Sequence, residues 1–479
     1  MTPTKNTSLF EAVIPIILLI TLLTSNVFLF ENTLGGANQI ALLLAASVGA
    51  IIVSKNGLSW ANTKDHIVKT IGSAMPSMLI LLLIGSLAGT WMISGVVPAM
   101  IYYGMDLINP HVFLITAVIV CAIVSVATGS SWSTIATIGI ALLGIGKAIG
   151  VSDAITSGAI ISGAYFGDKI SPLSDTTNLA PAMAGTDLFT HIRYMFYTTV
   201  PSMTITLIVF AIMGVNYDFE TTVSSAETVK ASIEQSFNIT PLLFLVPAIL
   251  LTIIILKMPP LPALMVGTLL GGLFAIIFQP QTIQEVAGSG ISYAKASYIT
   301  VMQAMFGDVQ LSTTNPTVNK LLSTSGMRGM LDTIWLILSA MVFGGVMEAG
   351  GLLTRITRPI MKMAKSTGAL VTSTVGTCIF FNITASDQYI SIVVPGRMFK
   401  KAYEDKGLKP EVLSRTLEDS GTMTSVLIPW NTCGATQSRI LGVATFDYLP
   451  YAFFNLISPL MSILFAFLKI KIRRTGNKG

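Results

Sequence analysis

Gly167-Asp168-Lys169-Ile170-Ser171-Pro172-Leu173-Ser174-Asp175-Thr176-Thr177-Asn178 is a polar stretch in a chain that is 52% hydrophobic and only 11% charged. A soluble domain carries about 25% charged residues, and a mean hydropathy of +0.74 keeps most of this length away from water. Apolar runs lie at 12–30, 40–53, 112–127, 242–256, 262–278, 331–347 and 451–470. About 20 helical residues cross a hydrocarbon core of about 30 Å, so the longer runs can span it. The shorter ones end at Gly or Pro and are expected to be tilted, broken or re-entrant. All are continuous and rich in Leu, Ile, Ala and Gly, without the alternation of barrel strands. Helices therefore satisfy the backbone, and the sequence predicts an all-α polytopic membrane protein. The first run follows Lys5. It exceeds the apolar core of a signal peptide and lacks a small-residue cleavage site, which predicts a retained helix.

Pro172 works against a regular helix through the quoted stretch. Asp168 and Asp175, seven apart, would share one face of an unbroken helix. Three other segments break the apolar pattern in the same way: 128–134 (Thr-Gly-Ser-Ser-Trp-Ser-Thr), 382–388 (Asn-Ile-Thr-Ala-Ser-Asp-Gln) and 429–436 (Pro-Trp-Asn-Thr-Cys-Gly-Ala-Thr). Gly, Pro and small hydroxyl residues let a membrane helix unwind. Unwound backbone at depth must line a cavity or be buried in protein, and discontinuous helices of this kind form ion sites near the midplane. A hard cation such as Na⁺ needs oxygen ligands to replace its water, and carboxylates, hydroxyls, amides and carbonyls supply them.

An ionised side chain in the membrane costs at least about 2.5–3.5 kcal/mol, so an acid there is a functional candidate. The candidate cation and proton site comprises Asp168, Asp175 and Asp387 with Thr128, Ser131, Ser174, Thr176, Asn178, Asn382, Ser386, Asn431 and Thr432. Na⁺ itself is placed at Asp175, Asp387, Asn178 and Asn382, and Glu348 is a proton-carrier candidate or else a loop-edge residue. Structural roles stand beside these. Asp168 could pair with Lys169, Asp175 could cap a helix over Thr177 and Asn178, and Asp387 could cap or bond neighbouring hydroxyls. The hydroxyls and amides could join helices to one another. Asp106 and His111 read as surface residues of an outer loop.

The polar stretch 217–238 divides the chain into a first half, 1–216, and a second half, 239–479. It holds Asp218, Glu220, Glu227 and Glu234 against one Lys230, and lacking a basic excess it is placed outside the cytoplasm. A second weakly polar stretch, 279–329, reads as a loop with a partly buried helix. The halves resemble each other. Shifted by 255 positions, Gly89, Met92 and Gly95 fall on Gly344, Met347 and Gly350, and Ser131 falls on Ser386. With a slip of two, Pro172 meets Pro429, Ser174 meets Asn431 and Asp175 meets Thr432. Loop 97–111 has no Lys or Arg, whereas its counterpart 352–366 has Arg355, Arg358, Lys362 and Lys365. The positive-inside rule puts the two on opposite sides, as an inverted-topology repeat requires, although Lys147 runs against strict inversion. Lys469, Lys471, Arg473, Arg474 and Lys478, with the basic run 397–415, are placed in the cytoplasm.

Other chemistries are poorly supported. The net charge of +5 sits in short loops, where it sets topology and gives no nucleic-acid surface. Cys121, Cys378 and Cys433 are isolated in apolar surroundings, which favours packing over a disulfide framework or a metal knuckle. His66, His111 and His191 are dispersed and do not suggest zinc. Gly144-Ile145-Gly146-Lys147 lacks the first Gly and the final Ser/Thr of a phosphate loop, Ser133 sits in no nucleophile elbow, and neither an enzyme nor a nucleotide-driven pump is indicated. No cofactor is expected beyond Na⁺ as the transported ion.

The residues 163–180, Gly-Ala-Tyr-Phe-Gly-Asp-Lys-Ile-Ser-Pro-Leu-Ser-Asp-Thr-Thr-Asn-Leu-Ala, continuing through Ala184-Gly-Thr-Asp187 to His191-Ile-Arg193, resemble the signature of the NhaC family of sodium/proton antiporters. Phe381-Asn382, Asp387-Gln388-Tyr389, Leu417-Glu418-Asp419-Ser420-Gly421-Thr422 and Pro429-Trp430-Asn431-Thr432 fit it as well. The resemblance covers nearly the whole chain. It implies a multi-pass transporter of the bacterial cytoplasmic (inner) membrane with two inverted repeats, paired re-entrant hairpins and a dimer. It also implies a transport domain that moves against a scaffold like an elevator. On this reading Na⁺ and H⁺ compete for the same carboxylates, with membrane lipid and a second copy of the chain as partners. The family also includes exchangers of organic acids, of malate/lactate type, and of amino acids. A carrier that couples Na⁺ or H⁺ to such a solute, with Arg439 or Lys169 aiding an anion site, stays open as the alternative.

Overall fold

The computed structural model describes residues 7–30, 35–107, 109–217, 223–288, 290–310, 319, 323–362 and 366–475. Asp218, Glu220, Lys365 and Lys478, read above as topology markers, lie outside the described residues, as do the side chains of Asp106, Arg358 and Lys362.

In the first half the helices are α1 (Leu9–Leu29), α2 (Ala37–Lys55), α3 (Trp60–Ile93), α4 (Val96–Leu107), α5 (Phe113–Thr128), α6 (Ser131–Ala148), α7 (Asp153–Ile170), α8 (Asp175–Ala184) and α9 (Leu188–Val215). Then come α10 (Val223–Ser236), α11 (Leu245–Ile255), α12 (Pro260–Phe278), α13 (Pro280–Ala287), α14 (Tyr293–Phe306), α15 (Leu331–Ala349), α16 (Leu352–Lys362), α17 (Thr367–Thr384) and α18 (Gln388–Asp405). Helix α19 (Pro410–Leu417) continues through a π turn, Glu418–Thr422, into Met423–Ser425. Last are α20 (Thr432–Leu441), α21 (Thr445–Tyr448) and α22 (Phe453–Phe467). Among the described residues, nine helices are long and apolar enough to cross a membrane, or up to eleven if two bent pairs each count as one span. Among its described residues the weakly polar stretch holds the helices α13 and α14, where one helix was expected. It also holds a two-residue antiparallel ladder, Val309–Gln310 against Ser323–Thr324.

Small residues let these helices approach closely, which replaces the missing hydrophobic drive between helices in lipid. Helices α5 and α7 pack most intimately. A Cβ on Gly163 would lie 2.2 Å from the Val118 carbonyl oxygen, and one on Gly167 2.4 Å from that of Ala122. Trp91 on α3 donates its indole N–H to the Gly267 carbonyl on α12 at 3.1 Å. One apolar cluster joins α5, α6, α7, α9 and α22, and a neighbouring one joins α8, α17, α18 and α19. On the flanks, α1 and α2 pack with α15, and α3 and α4 with α11 and α12. The span in α6 is 78% buried against 28% for that in α1, so α6 is interior and α1 peripheral.

All four polar segments are breaks between helices. Helix α5 ends at Gly129, which is left-handed (φ +67°) and donates to the Ser125 carbonyl. Ser130 caps α6, its hydroxyl accepting from Ser133 N–H at 3.2 Å. Ser174 caps α8 through Thr177 N–H at 3.4 Å, Asp387 caps α18 through Ile390 N–H at 3.0 Å, and Asn431 caps α20 through Cys433 N–H at 3.0 Å. Short oxygen-bearing side chains at these four positions satisfy first-turn donors that lipid cannot.

Gly163→Val should force apart the α5–α7 contact and cost about 1–3 kcal/mol, the usual range for overpacking. A thermal melt in detergent checks this; an unchanged midpoint would show that the contact is not tight.

Candidate functional site

The breaks converge on one cavity of about 280 Å³. Thr128, Gly129 and Ser130 come from the first break, and Leu173, Ser174, Asp175 and Thr176 from the second, with Asp168 on α7. The third break gives Gln388 and Tyr389, and the fourth gives Thr432 and Cys433. Trp132 and Ser133 of α6, Ser77 and Ile80 of α3, Ile254 of α11 and the turn 257–260 between α11 and α12 complete the wall.

Asp168 is 7% exposed. It accepts two hydrogen bonds from Ser131, from the N–H at 3.2 Å and the hydroxyl at 2.7 Å, so the start of α6 holds it in place. Asp175 is the first residue of α8 and is exposed to the cavity. The Ser174 hydroxyl lies 3.2 Å from that of Thr176, which donates to Glu418 at 2.9 Å. The Thr128 and Thr134 hydroxyls meet at 3.3 Å. A ring of hydroxyls thus surrounds two carboxylates, the donor set a small hard cation requires.

The other predicted residues fall elsewhere. Asn382 is fully buried. It donates to the Gly421 carbonyl at 2.8 Å and the Thr424 hydroxyl at 2.9 Å, and its two oxygens accept from the Asn431 amide, both at 3.1 Å. Ser386, left-handed at φ +58°, accepts on its carbonyl from Thr432 N–H at 3.0 Å. Its hydroxyl is buried without a partner. These contacts tie the third break to the fourth. Asp387, 2% exposed, is the helix cap described above. Asn178 is exposed on α8 and donates to the carbonyls of Pro172 and Ser174 at 3.0 and 2.7 Å. Glu348 is exposed at the end of α15. The structure therefore groups Asp168, Asp175, Thr128, Ser174, Thr176 and Thr432 at the cavity, with Ser131 behind Asp168. Asn382, Ser386, Asp387 and Asn431 form a bracing cluster beside it.

Several residues at the site were not singled out from the sequence. Gln388 lines the cavity and its Oε1 accepts from Ser425 at 3.0 Å and from the Cys433 thiol at 2.9 Å. Tyr389 lies within electrostatic reach of Asp175, Asp387 and Asp168 together. Gln388 closes the third motif and Tyr389 follows it, and that position was the available signal. Lys169 pairs with Asp419, not with Asp168, and both side chains are fully buried. The second oxygen of Asp419 accepts from Thr198 at 2.9 Å and Ser462 at 2.5 Å. The ammonium also sits 5.4 Å from the Phe454 ring. No group of three or more His, Cys, Asp or Glu that could hold a metal occurs among the described residues.

Many apolar spans around a polar, acid-lined cavity define a multi-pass membrane protein of the transporter class. The sequence profile described as the Na⁺/H⁺ antiporter family matches residues 163–470, and the chain belongs to that family. It is 36% identical to the Na⁺/H⁺ antiporter NhaC of Alkalihalophilus pseudofirmus, over 90% of each chain. It is 35% identical to a malate-2H⁺/Na⁺-lactate antiporter of Bacillus subtilis, over 90% of this chain and 89% of that one. It is 33% identical to the arginine/ornithine antiporter ArcD of Halobacterium salinarum, over 97% and 93%. The family is one of antiporters, and the cytoplasmic membrane is its place.

Lys169→Met should strand Asp419 in the interior and cost about 3–5 kcal/mol, as loss of one partner of a buried ion pair does. Adding Asp419→Leu should recover most of the loss. Unfolding in detergent reads both. A single variant as stable as the parent would mean that the pair does not hold α7 to α19.

Proposed function

We propose that the protein exports cytoplasmic Na⁺ in exchange for external H⁺, with both ions competing for Asp168 and Asp175. The observation that supports this most is the meeting of four helix breaks at one cavity that holds both acids. Thr128, Ser174, Thr176 and Thr432 supply neutral oxygens, and Asp387 and Tyr389 set the local charge. Asn382 and Asn431 hold the third and fourth breaks in register beneath the ion. Asn178 and Glu348 lie too far toward solvent to serve as ligands in this conformation. A bare buried carboxylate is costly, so the loaded site crosses only when Na⁺ or H⁺ neutralises it. That rule couples the two gradients.

The parallel order of elements supports an inverted repeat. Helices α3 to α9 run span, short helix, helix, break, two helices, break, short helix, span, and α15 to α22 repeat that order with the single turn α21 added. On this reading the break-bearing helices form the moving transport domain. Helices α1–α3, α11, α12 and α15 form the scaffold, which also provides the dimer contact. The exposed Lys257 and its turn then belong to the scaffold and face the transported ion across the cavity.

A second reading is favoured by that same lysine. A cation at the mouth of an acid-lined cavity suits a solute carrying a carboxylate, and two relatives are named for organic acid or amino acid exchange. Reconstitution into liposomes with a pH-reporting dye separates the two. Na⁺ alone should drive proton movement in the parent, and Asp175→Asn should abolish it while the protein stays folded. Asp175→Asn exchanging at the parental rate would sink the role given to Asp175. Proton movement that appears only with an added organic acid or amino acid would favour the second reading.

A further inference from the structure

Glu418 is fully buried at the start of the π turn Glu418–Thr422. One carboxylate oxygen accepts from Thr176, a cavity residue, at 2.9 Å. Its other oxygen has no partner beyond the buried hydroxyl of Thr422, which lies beside the carboxylate one turn on. Lys169, the cation that faces it, is engaged by Asp419. The charges acting on Glu418 are those of Asp168 and Lys169 on α7. Helices α17 and α22, which pack on the turn, carry no charged side chain, and α8 carries only Asp175. The charged residues of α18 start at Arg397, more than two turns from its beginning at Gln388. Arg415, one turn before Glu418, lies over the Tyr194 ring at 4.5 Å. A lone ionised carboxylate in a dry interior is costly, and with the nearby ammonium already paired, a proton is what can neutralise this one. Single π turns inside α-helices recur at functional positions.

We propose that Glu418 is a further proton-carrying carboxylate of the exchange, additional to the acids for which Na⁺ and H⁺ compete and joined to the cavity by the Thr176 hydroxyl. The inference rests on the exchange reading above. A proton leaves the cavity side for the Ser174 hydroxyl, 3.2 Å from that of Thr176. Ser174 passes its own proton to Thr176, and Thr176 passes its own to Glu418. Both hydroxyls end as they began, and the carboxylate becomes the acid. The reverse sequence returns the proton when Na⁺ enters.

Infrared difference spectra between high and low pH read this proton without any transport. Among the protonated-carboxyl C=O bands of the parent, one should be lost in Glu418→Gln and kept in Asp175→Asn. In liposomes Glu418→Gln should slow Na⁺/H⁺ exchange by about 10²-fold or more, the scale of lost proton-transfer groups. Sodium–sodium exchange at equal pH, which moves no proton, should survive. Thr176→Val, which keeps the shape and Glu418 itself, should keep the band but slow the pH-driven change. Carboxyl bands that all survive Glu418→Gln, or a Glu418→Gln variant that exchanges Na⁺ for H⁺ at the parental rate, overturn the proposal. A parent that shows the band but moves no Na⁺ overturns the exchange reading instead, and leaves the assignment of the proton to Glu418 standing.

Discussion

A helix broken inside a membrane leaves amide donors and carbonyl acceptors that lipid cannot satisfy. Everything at this site follows from how the protein meets that demand. Ser130, Ser174, Asp387 and Asn431 each turn a side-chain oxygen back onto the helix they begin. The unwound strands then serve each other, as when Thr432 N–H donates to the Ser386 carbonyl. Once the ends are satisfied this way, the space between them can be polar and hollow without unravelling the bundle. The positive ends of α6, α8, α18 and α20 also point into this region, which helps hold carboxylates there.

Charge is arranged in layers of increasing dryness. Asp175 meets the cavity, Asp168 lies just behind it under two Ser131 bonds, and Glu418 lies behind Thr176. As dry as Glu418 is the Lys169–Asp419 pair, whose carboxylate takes two further hydroxyls and whose ammonium faces an aromatic ring. A charge pair of this kind is a fixed structural element. An acid with hydroxyl neighbours and no cation of its own is free to change its state.

The class of fold could be read from the apolar runs, and all four breaks could be read from Gly, Pro and hydroxyl residues set within them. Pro172 did mark the gap between α7 and α8, and the small polar residues did mark the caps. What could not be read was which acid faces which cation. Lys169 has Asp168 as its neighbour in sequence, yet its partner lies 250 residues away, and Glu418 lies 242 residues from the threonine that holds it. Neighbours on a helix point in different directions, so local sequence favours the wrong pair. The same limit explains Asn178, whose motif position suggested a ligand but whose helical phase turns it outward.

The Gly129 joint carries one more consequence. A Cβ there would lie 2.5 Å from that of Leu173, and the backbone is left-handed besides. Two interruptions far apart in sequence are therefore pressed together at one point without a side chain between them. The two cannot drift independently over evolutionary time: a bulkier residue at 129 would have to be matched by a retreat at 173 and a new backbone path. A displacement of the chain at one interruption is handed to the other, so this wall of the chamber behaves as one stiff plate.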